Sequence, residues 1–181
     1  MIRVFIGIPL DRQCQKQVDE LLRPLEQSRQ DIRWVPASNR HLTLAFLGNI
    51  PDHEVLKLQH SFAGAYQQEK RFHYPLTTLT RFPDTAGRII ALTNDPTRPL
   101  DVLFQNTLEM LRENRLKPDR KDFRPHITLG RIKRPRQVRE SLAQQVNINL
   151  TVGKVRLFQS QSSETGPVYT SLAETHLQTS S

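Results

Sequence analysis

The 181-residue chain carries 26 Lys and Arg against 18 Asp and Glu, a formal net charge of +8, and its length suits one globular domain or two small lobes that share a core. With 36% hydrophobic residues and no apolar run near the roughly 20 that cross a bilayer, the sequence excludes a membrane-spanning helix. Its single cysteine excludes an internal disulfide, and no Cys/His cluster has the spacing of a zinc site.

The first half of the chain alternates between strand and helix signals. Residues 2–8 alternate, are rich in β-formers and end at Pro9, which predicts a buried strand, and Asp11 is placed to cap the helix that follows. The predicted elements of this half are a strand over 2–8, a helix over 11–26, a strand over 41–47 that stops at Gly48, and a helix over 53–66.

The second half repeats the same kinds of signals. Two β-rich segments come first, and Pro99 opens an amphipathic stripe that is typical of a helix. The predicted elements of this half are strands over 72–82 and 88–93, a helix over 99–113, a strand over 126–130, a short helix over 137–145, and strands over 148–159 and 167–174 joined by a loop over 160–166.

One short motif occurs twice, as His-Leu-Thr-Leu at 41–44 and as His-Ile-Thr-Leu at 126–129, 85 residues apart. Successive side chains of a strand point to opposite faces, so the apolar residues enter a core while each His shares the other face with its Thr. A single copy is typical of an ordinary surface strand. Two copies arise by chance in well under about one per cent of chains with this composition, so the duplication favours a functional role.

The elements around the motif are duplicated as well. Strand, helix, motif strand and helix recur in the same order about 85 residues later, which predicts a single domain of two duplicated lobes with approximate repeat units 1–84 and 85–175. A pseudo-two-fold arrangement would place the two motif strands across from each other. Both His-Thr pairs would then face one cleft.

Two imidazoles and two hydroxyls in one cleft suit the displacement at a phosphodiester. One histidine can take a proton from the attacking oxygen while the other gives a proton to the departing oxygen, so His41 and His126 are the candidate catalytic residues, with no metal and no cofactor. Thr43 and Thr128 are candidate donors to the non-bridging oxygens, and Arg131 adds a fixed positive charge. The net charge is in line with a polyanionic partner, although solvated helix faces account for such an excess equally well.

The motif segments resemble the two-histidine phosphoesterases, and within them the RNA 2',3'-cyclic phosphodiesterases, also called the LigT-like or 2'-5' RNA ligase family. The resemblance is carried by His-Leu-Thr-Leu-Ala-Phe-Leu-Gly at 41–48 and by Phe-Arg-Pro-His-Ile-Thr-Leu-Gly-Arg at 123–131, with weaker support from 4–9, 157–160 and 166–169. It covers nearly the whole chain.

The resemblance implies a bilobal α+β fold with two pseudo-two-fold-related lobes of mainly antiparallel sheet, outer helices and a central cleft. It also implies metal-independent hydrolysis of RNA 2',3'-cyclic phosphate ends to 2'-phosphates, with His41 as proton donor and His126 as proton acceptor. The symmetry of the sequence does not by itself distinguish the two roles. Family members are also described as joining RNA through a 2'-5' bond, the reverse displacement. Hydrolysis ranks first because water is abundant and nothing in the sequence supplies an energy source.

Further residues near the motifs are candidate substrate contacts. Phe46 and Phe123 are candidates for stacking on a base, with a core role as the alternative, and Arg124 is a candidate for tracking the RNA backbone, with an ordinary surface charge as the alternative.

The expected partner is an RNA with a 2',3'-cyclic phosphate end, tRNA fragments being one source. It would be bound by a monomeric enzyme. We expect this enzyme to be cytoplasmic, because the N-terminal residues lack the basic lead and long apolar stretch of a signal peptide. Two other functions remain open, namely a cyclic phosphodiesterase for a small nucleotide and a non-catalytic basic RNA-binding module.

Overall fold

The structure is a computed structural model that describes residues 1–119, 122–133, 142–164 and 166–179. These residues form three α-helices and nine β-strands in a mixed order. The elements are β1 (Ile2–Pro9), α1 (Arg12–Ser28), β2 (Ile32–Trp34), β3 (His41–Ile50), α2 (Asp52–Phe62), β4 (Phe72–Phe82), β5 (Ile89–Thr93), α3 (Arg98–Glu113), β6 (His126–Ile132), β7 (Gln144–Val152), β8 (Lys154–Ser163) and β9 (Gly166–His176).

The strands form one antiparallel sheet in the order β7-β4-β5-β6-β3-β1-β8-β9, and β2 pairs with the far end of β6. At the middle of this sheet, β3 and β6 pair through Leu42 and Ile127, which we call the central rung. The half of the sheet with β3, β1, β8 and β9 therefore comes from the two ends of the chain. The half with β7, β4, β5 and β6 comes from the middle, residues 72–152. The expected α+β fold of mainly antiparallel sheet is confirmed, while the repeat units 1–84 and 85–175 stay a prediction.

The helices bury an apolar stripe against one side of the strands. Cys14, Val18 and Leu22 of α1 lie in the same buried cluster as Leu42 and Ile127 of the central rung, which leaves the opposite side of the motif strands open. No helix within the described ranges is long and apolar enough to cross a membrane.

Asp11 joins the first helix to the far half of the sheet. As predicted, it caps α1, because its Oδ1 accepts hydrogen bonds from the backbone N–H groups of Gln13 at 2.9 Å and Cys14 at 3.2 Å. Its Oδ2 accepts from the N–H of Thr151 on β7 at 2.6 Å. One carboxylate thus fixes both the start of α1 and its place beside the edge strand β7.

Several predicted boundaries differ from the structure. The motif strand β3 continues through Gly48, whose φ of +67° a glycine adopts at no steric cost. The helix predicted over 53–66 ends at Phe62 as α2. The short strand β2 was not predicted, because three residues are too few to show a periodicity.

The C-terminal part contains the larger errors. Of the short helix predicted over 137–145, residues 137–141 lie outside the described residues, and 144–145 belong to β7. The strand predicted over 148–159 is in fact parts of two strands separated at Gly153, and the loop predicted over 160–166 is largely strand, since β8 and β9 pair as far as Ser163 with Gly166. An exposed hairpin carries polar side chains, as a loop does. The sequence does not show the strand with which these residues pair, so they were predicted as a loop.

Candidate active site

The two motifs lie side by side at the centre of the sheet. Leu42 and Ile127 are fully buried, while each His and each Thr of the two motifs is only half-buried on the opposite face. Residues that are diagonal across an antiparallel pair lie roughly 7–8 Å apart, and this is the relation that the central rung gives His41 and His126. The folding of the chain therefore brings both imidazoles to one open face.

The two motif strands are irregular in the same way. Their first seven residues share one burial pattern, in which the fifth is buried and the sixth exposed, so the strict alternation breaks after the second Leu. A register shift accounts for this break in both strands, opposite Ile6 and Gly7 for β3 and opposite Ile90 and Ala91 for β6. The extra residue turns Phe46 and Arg131 to the open face that carries the histidines.

Each imidazole is held by the backbone two residues before it. His41 Nδ1 lies 2.8 Å from the carbonyl oxygen of Asn39, and His126 Nδ1 lies 2.8 Å from the carbonyl oxygen of Arg124. A carbonyl oxygen only accepts, so Nδ1 donates in both cases and Nε2 is the nitrogen that takes up or releases a proton. The two rings thus have the same tautomer, fixed by the same local contact.

The His41 ring lies among aromatic side chains. It stacks on Phe5 with a centroid distance of 4.6 Å, meets Tyr169 edge-on at 5.3 Å and lies 5.9 Å from Phe158. Gly7 leaves room for it, since a Cβ there would lie 3.3 Å from His41 Cδ2. The pKa of His41 is lowered to about 4, chiefly by burial in this apolar setting and to a smaller extent by the nearby His126, although the bond to Asn39 acts in the opposite direction.

The His126 ring has a more open setting. It stacks on Phe82 with a centroid distance of 3.9 Å, and the guanidinium carbon of Arg124 lies 5.5 Å from the centre of the same Phe82 ring. Arg124 also donates from Nη2 to the carbonyl oxygen of Pro83 at 3.1 Å. One histidine is therefore set among aromatic rings and the other on a ring that faces a cation, so the two equivalent residues have different electrostatic environments.

A profile of the family described as LigT like Phosphoesterase matches the chain over residues 8–93 and again over 90–169. This chain belongs to the LigT-like phosphoesterase family. Each of the two matches contains one His-x-Thr motif, at His41 and at His126. The chain is thus an enzyme that acts on phosphate esters.

Relatives of this LigT-like phosphoesterase cover nearly its whole length. The RNA 2',3'-cyclic phosphodiesterase of Thermotoga maritima is 26% identical over 96% of this chain and 94% of its own. The protein of the same name from Methanothermobacter thermautotrophicus is 25% identical over 94% and 96%. The crystal structure of E. coli LigT complexed with 3'-AMP is 25% identical, covers 98% of both chains and superimposes with a TM-score of 0.79.

The remaining predicted site residues divide into two groups. Phe46 is 44% exposed on the open face, with its ring 5.7 Å from that of Phe5, and Arg131 is exposed at the equivalent place on β6. Phe123 instead stacks on Phe104 at 4.3 Å and packs against the hydrophobic core. These contacts favour the core role that was the alternative for Phe123, and base stacking by Phe123 stays a prediction.

Tyr169 is a site residue that sequence reasoning missed. It lies against His41, burial raises the pKa of its hydroxyl, and the charges of Arg131 and Arg3 act in the opposite direction, which places both arginines near it. The sequence contained only a weak signal, the resemblance of segment 166–169, because Tyr169 of β9 is about 128 residues from His41 of β3 along the chain.

No group of three or more His, Cys, Asp or Glu within the described residues is arranged to hold a metal ion. The polar atoms that the open face does offer are imidazole nitrogens, threonine hydroxyls and guanidinium groups. Such groups bind an anion and move protons, which is the chemistry that a phosphate ester needs.

Proposed function

We propose that this LigT-like phosphoesterase hydrolyses RNA ends that carry a 2',3'-cyclic phosphate to 2'-phosphomonoesters, without a metal, using His41 and His126 as acid and base. The observation that carries the proposal is the equivalence of the two imidazoles, each with Nδ1 bound to a backbone carbonyl at 2.8 Å and both on the open face of one sheet. The names of the two relatives and the 3'-AMP complex of E. coli LigT support an RNA end as the substrate.

The reaction needs one proton taken and one proton given at opposite sides of the phosphorus. His126 Nε2 takes a proton from water as the water oxygen bonds to phosphorus, the bond from phosphorus to O3' breaks, and His41 Nε2 gives its proton to O3'. The products are a 2'-phosphate and a free 3'-hydroxyl. Loss of the proton from His126 to solvent restores the resting enzyme, in which both rings are neutral.

The lowered pKa of His41 sets a condition on this assignment. With a pKa of about 4 in the ligand-free protein, the ring is neutral near pH 7 and carries no proton to give from Nε2. A phosphodiester is an anion, and an anion beside Nε2 favours the charged imidazolium. We infer that substrate binding and protonation of His41 occur together, so the acid is formed where it is used.

Three further side chains stabilise the charge that develops on the non-bridging oxygens. Thr43 and Thr128 lie on the open face, each two residues after the histidine of its strand. Their hydroxyls donate hydrogen bonds to these oxygens. Arg131 contributes a permanent positive charge near Tyr169 and thus near His41.

The proposed enzyme is a cytoplasmic monomer that acts on RNA ends such as those of tRNA fragments. A 2'-5' ligase would run the same displacement backwards with a ribose 5'-hydroxyl, and a non-catalytic RNA-binding module would bind such ends and leave them unchanged. The contacts of His41 and His126 favour catalysis over simple binding, since a groove wall has no need of two rings in one fixed tautomer.

The test is direct. Purified protein in excess chelator is incubated with an oligoribonucleotide that ends in a 2',3'-cyclic phosphate, and the product is mapped by its susceptibility to 2'- and 3'-specific treatment. We expect a 2'-phosphate and a free 3'-hydroxyl. A 3'-phosphate, or activity that disappears with chelator and returns with added metal, would overturn the proposal, and an unchanged end would favour the binding module. Adding an RNA with a 5'-hydroxyl to the same reaction detects ligation.

A further inference from the structure

Two arginines lie directly opposite each other beyond the catalytic residues. Arg33 of β2 pairs with Arg131 of β6, and we call this pair the arginine rung. Directly paired residues of an antiparallel sheet project to the same face, with Cβ atoms about 4.5–5.5 Å apart. Like charges at this distance destabilise a sheet, so the pair is costly unless something negative lies between or above it.

The neighbouring rungs fix the face to which these arginines point. Ile32 and Ile132 form the next rung and are 3% and 1% exposed, so that rung points into the core. On the other side, Trp34 packs against the core over Gly130. The arginine rung therefore projects away from the core, to the open face that His126 and Thr128 share, and both arginines are exposed there.

No carboxylate among the described residues neutralises the charge of the arginine rung. Neither Arg33 nor Arg131 forms an ion pair with a carboxylate in the part of the chain that the structure describes. Asp31, two residues before Arg33, accepts two hydrogen bonds from Arg29, at 2.9 and 2.8 Å. An anion bound from solution would neutralise these two charges.

The position of the rung shows which anion fits. Ile127 and Arg131 pair with Leu92 and Ile89 of β5, three ladder steps apart, so the rung lies roughly 10 Å from the central rung at about 3.3 Å per residue. Phe46 lies at the other end of β3, beyond Thr43. An RNA strand that crosses this face therefore meets the ring of Phe46, then the two histidines, then the two arginines of the rung.

We infer that Arg33, opposite Arg131 in the arginine rung, is a subsite for the backbone phosphate next upstream of the cyclic phosphate that Arg131 serves, so that the enzyme acts on RNA chains in preference to free nucleoside cyclic phosphates. This inference rests on the proposed function. It also gives the substrate a direction, with the terminal base toward Phe46 and the rest of the RNA leaving over Arg33. A guanidinium group matches the non-bridging oxygens of a phosphate, so adjacent phosphates of one RNA strand take one arginine of the rung each.

The experiment compares two substrates in two variants. One substrate is a short oligoribonucleotide that ends in a 2',3'-cyclic phosphate, and the other is a nucleoside 2',3'-cyclic monophosphate, which has no upstream phosphate. Arg33→Ala removes one cation of the rung, and Arg23→Ala removes an exposed cation of α1, on the helix side of the sheet. Both variants lower the net charge by one, so comparison with Arg23→Ala corrects for any long-range effect of charge on RNA binding.

We expect Arg33→Ala to lower the ratio of kcat/KM for the oligonucleotide to kcat/KM for the mononucleotide by about tenfold, the scale of one lost charge-assisted contact. The slope of log kcat/KM for the oligonucleotide against the logarithm of the salt concentration should become shallower by about one unit in Arg33→Ala. The temperature of unfolding should stay the same or rise, since a repulsive pair is relieved. A ratio and a salt slope equal to those of Arg23→Ala would overturn the inference.

A binding measurement separates this inference from the proposed function. The anisotropy of a labelled oligoribonucleotide that carries a terminal 2'-phosphate reports affinity without turnover. Weaker binding to Arg33→Ala, in a protein that hydrolyses neither substrate, would support the subsite and refute the proposed function. Hydrolysis of both substrates with an unchanged ratio and unchanged binding would support the proposed function and refute the subsite.

Discussion

Leu42 of β3 lies opposite Ile127 of β6 at the central rung, and both side chains are completely buried. This contact places the two His-Thr pairs relative to each other, because the histidines flank it on the opposite face. Substitution of Leu42 by Ala should cost about 2–5 kcal/mol in the free energy of unfolding, as for other buried leucines. Urea unfolding of the two proteins measures the difference.

Leu56 provides the control, because it is 58% exposed on α2 and its truncation should change the free energy of unfolding by less than about 0.5 kcal/mol. An equal, small effect at both leucines would mean that the centre of the sheet is less tightly packed than the complete burial of Leu42 indicates.

Substitution of either His41 or His126 by Ala should lower kcat on a 2',3'-cyclic phosphate end by roughly 100-fold or more, the scale of a lost general acid or base. His53→Ala, on the exposed surface of α2, should leave kcat unchanged. Thermal unfolding of each variant checks that the fold is intact. Near-normal turnover in either catalytic variant would contradict the assignment.

The threonines should contribute through their hydroxyls alone. Thr43→Val and Thr128→Val keep the shape and the strand preference, and each should lower kcat by about 100-fold, since a donor to the developing charge is removed. Thr170→Val on the exposed surface of β9 is the matched control. If the Val variants changed stability but not kcat, the two hydroxyls would have a structural role only.

The His41 ring should make stability depend on pH. An imidazole in the unfolded chain has a pKa near 6.5, whereas burial lowers that of folded His41 to about 4. Between these values the unfolded chain binds a proton that the folded chain does not, so acid favours unfolding. The contribution is complete above pH 6.5 and decreases as the pH falls to about 4, by up to roughly 3 kcal/mol.

Urea unfolding between pH 4 and pH 7 tests this pH dependence, with His41→Ala as the reference. In His41→Ala, the free energy of unfolding should change less with pH, because only the groups other than His41 then contribute to the pH dependence. Parallel curves for the two proteins would show that the His41 ring titrates normally in the folded state.

Binding of a phosphate ester should raise the pKa of His41. The ring is neutral in the ligand-free protein because of burial, and an anion at Nε2 stabilises the charged form. Titration of the His41 ring protons by NMR, with and without a nucleoside 2'-phosphate, measures the change. A pKa that stays near 4 with the ligand bound would exclude His41 as the proton donor.

The sequence was sufficient to predict the motif strands and their faces. Alternation of polar and apolar side chains is a local property, so it places His41 with Thr43 and His126 with Thr128 on the face opposite the core without any knowledge of strand pairing. The duplication then indicated a shared cleft. Helix α1 and its Asp11 cap were also predictable, because a cap and an apolar stripe lie within one stretch of chain.

The tertiary structure decided what surrounds these residues. The register shifts that turn Phe46 and Arg131 to the open face depend on pairing with β1 and β5, and the ring against His41 comes from Tyr169 of the last strand. The rung that joins Arg33 to Arg131 connects residues 98 apart in the chain. Local periodicity determines which face of a strand a side chain takes. Which partners it meets there depends on strand pairing between distant segments, and a single sequence does not specify that pairing.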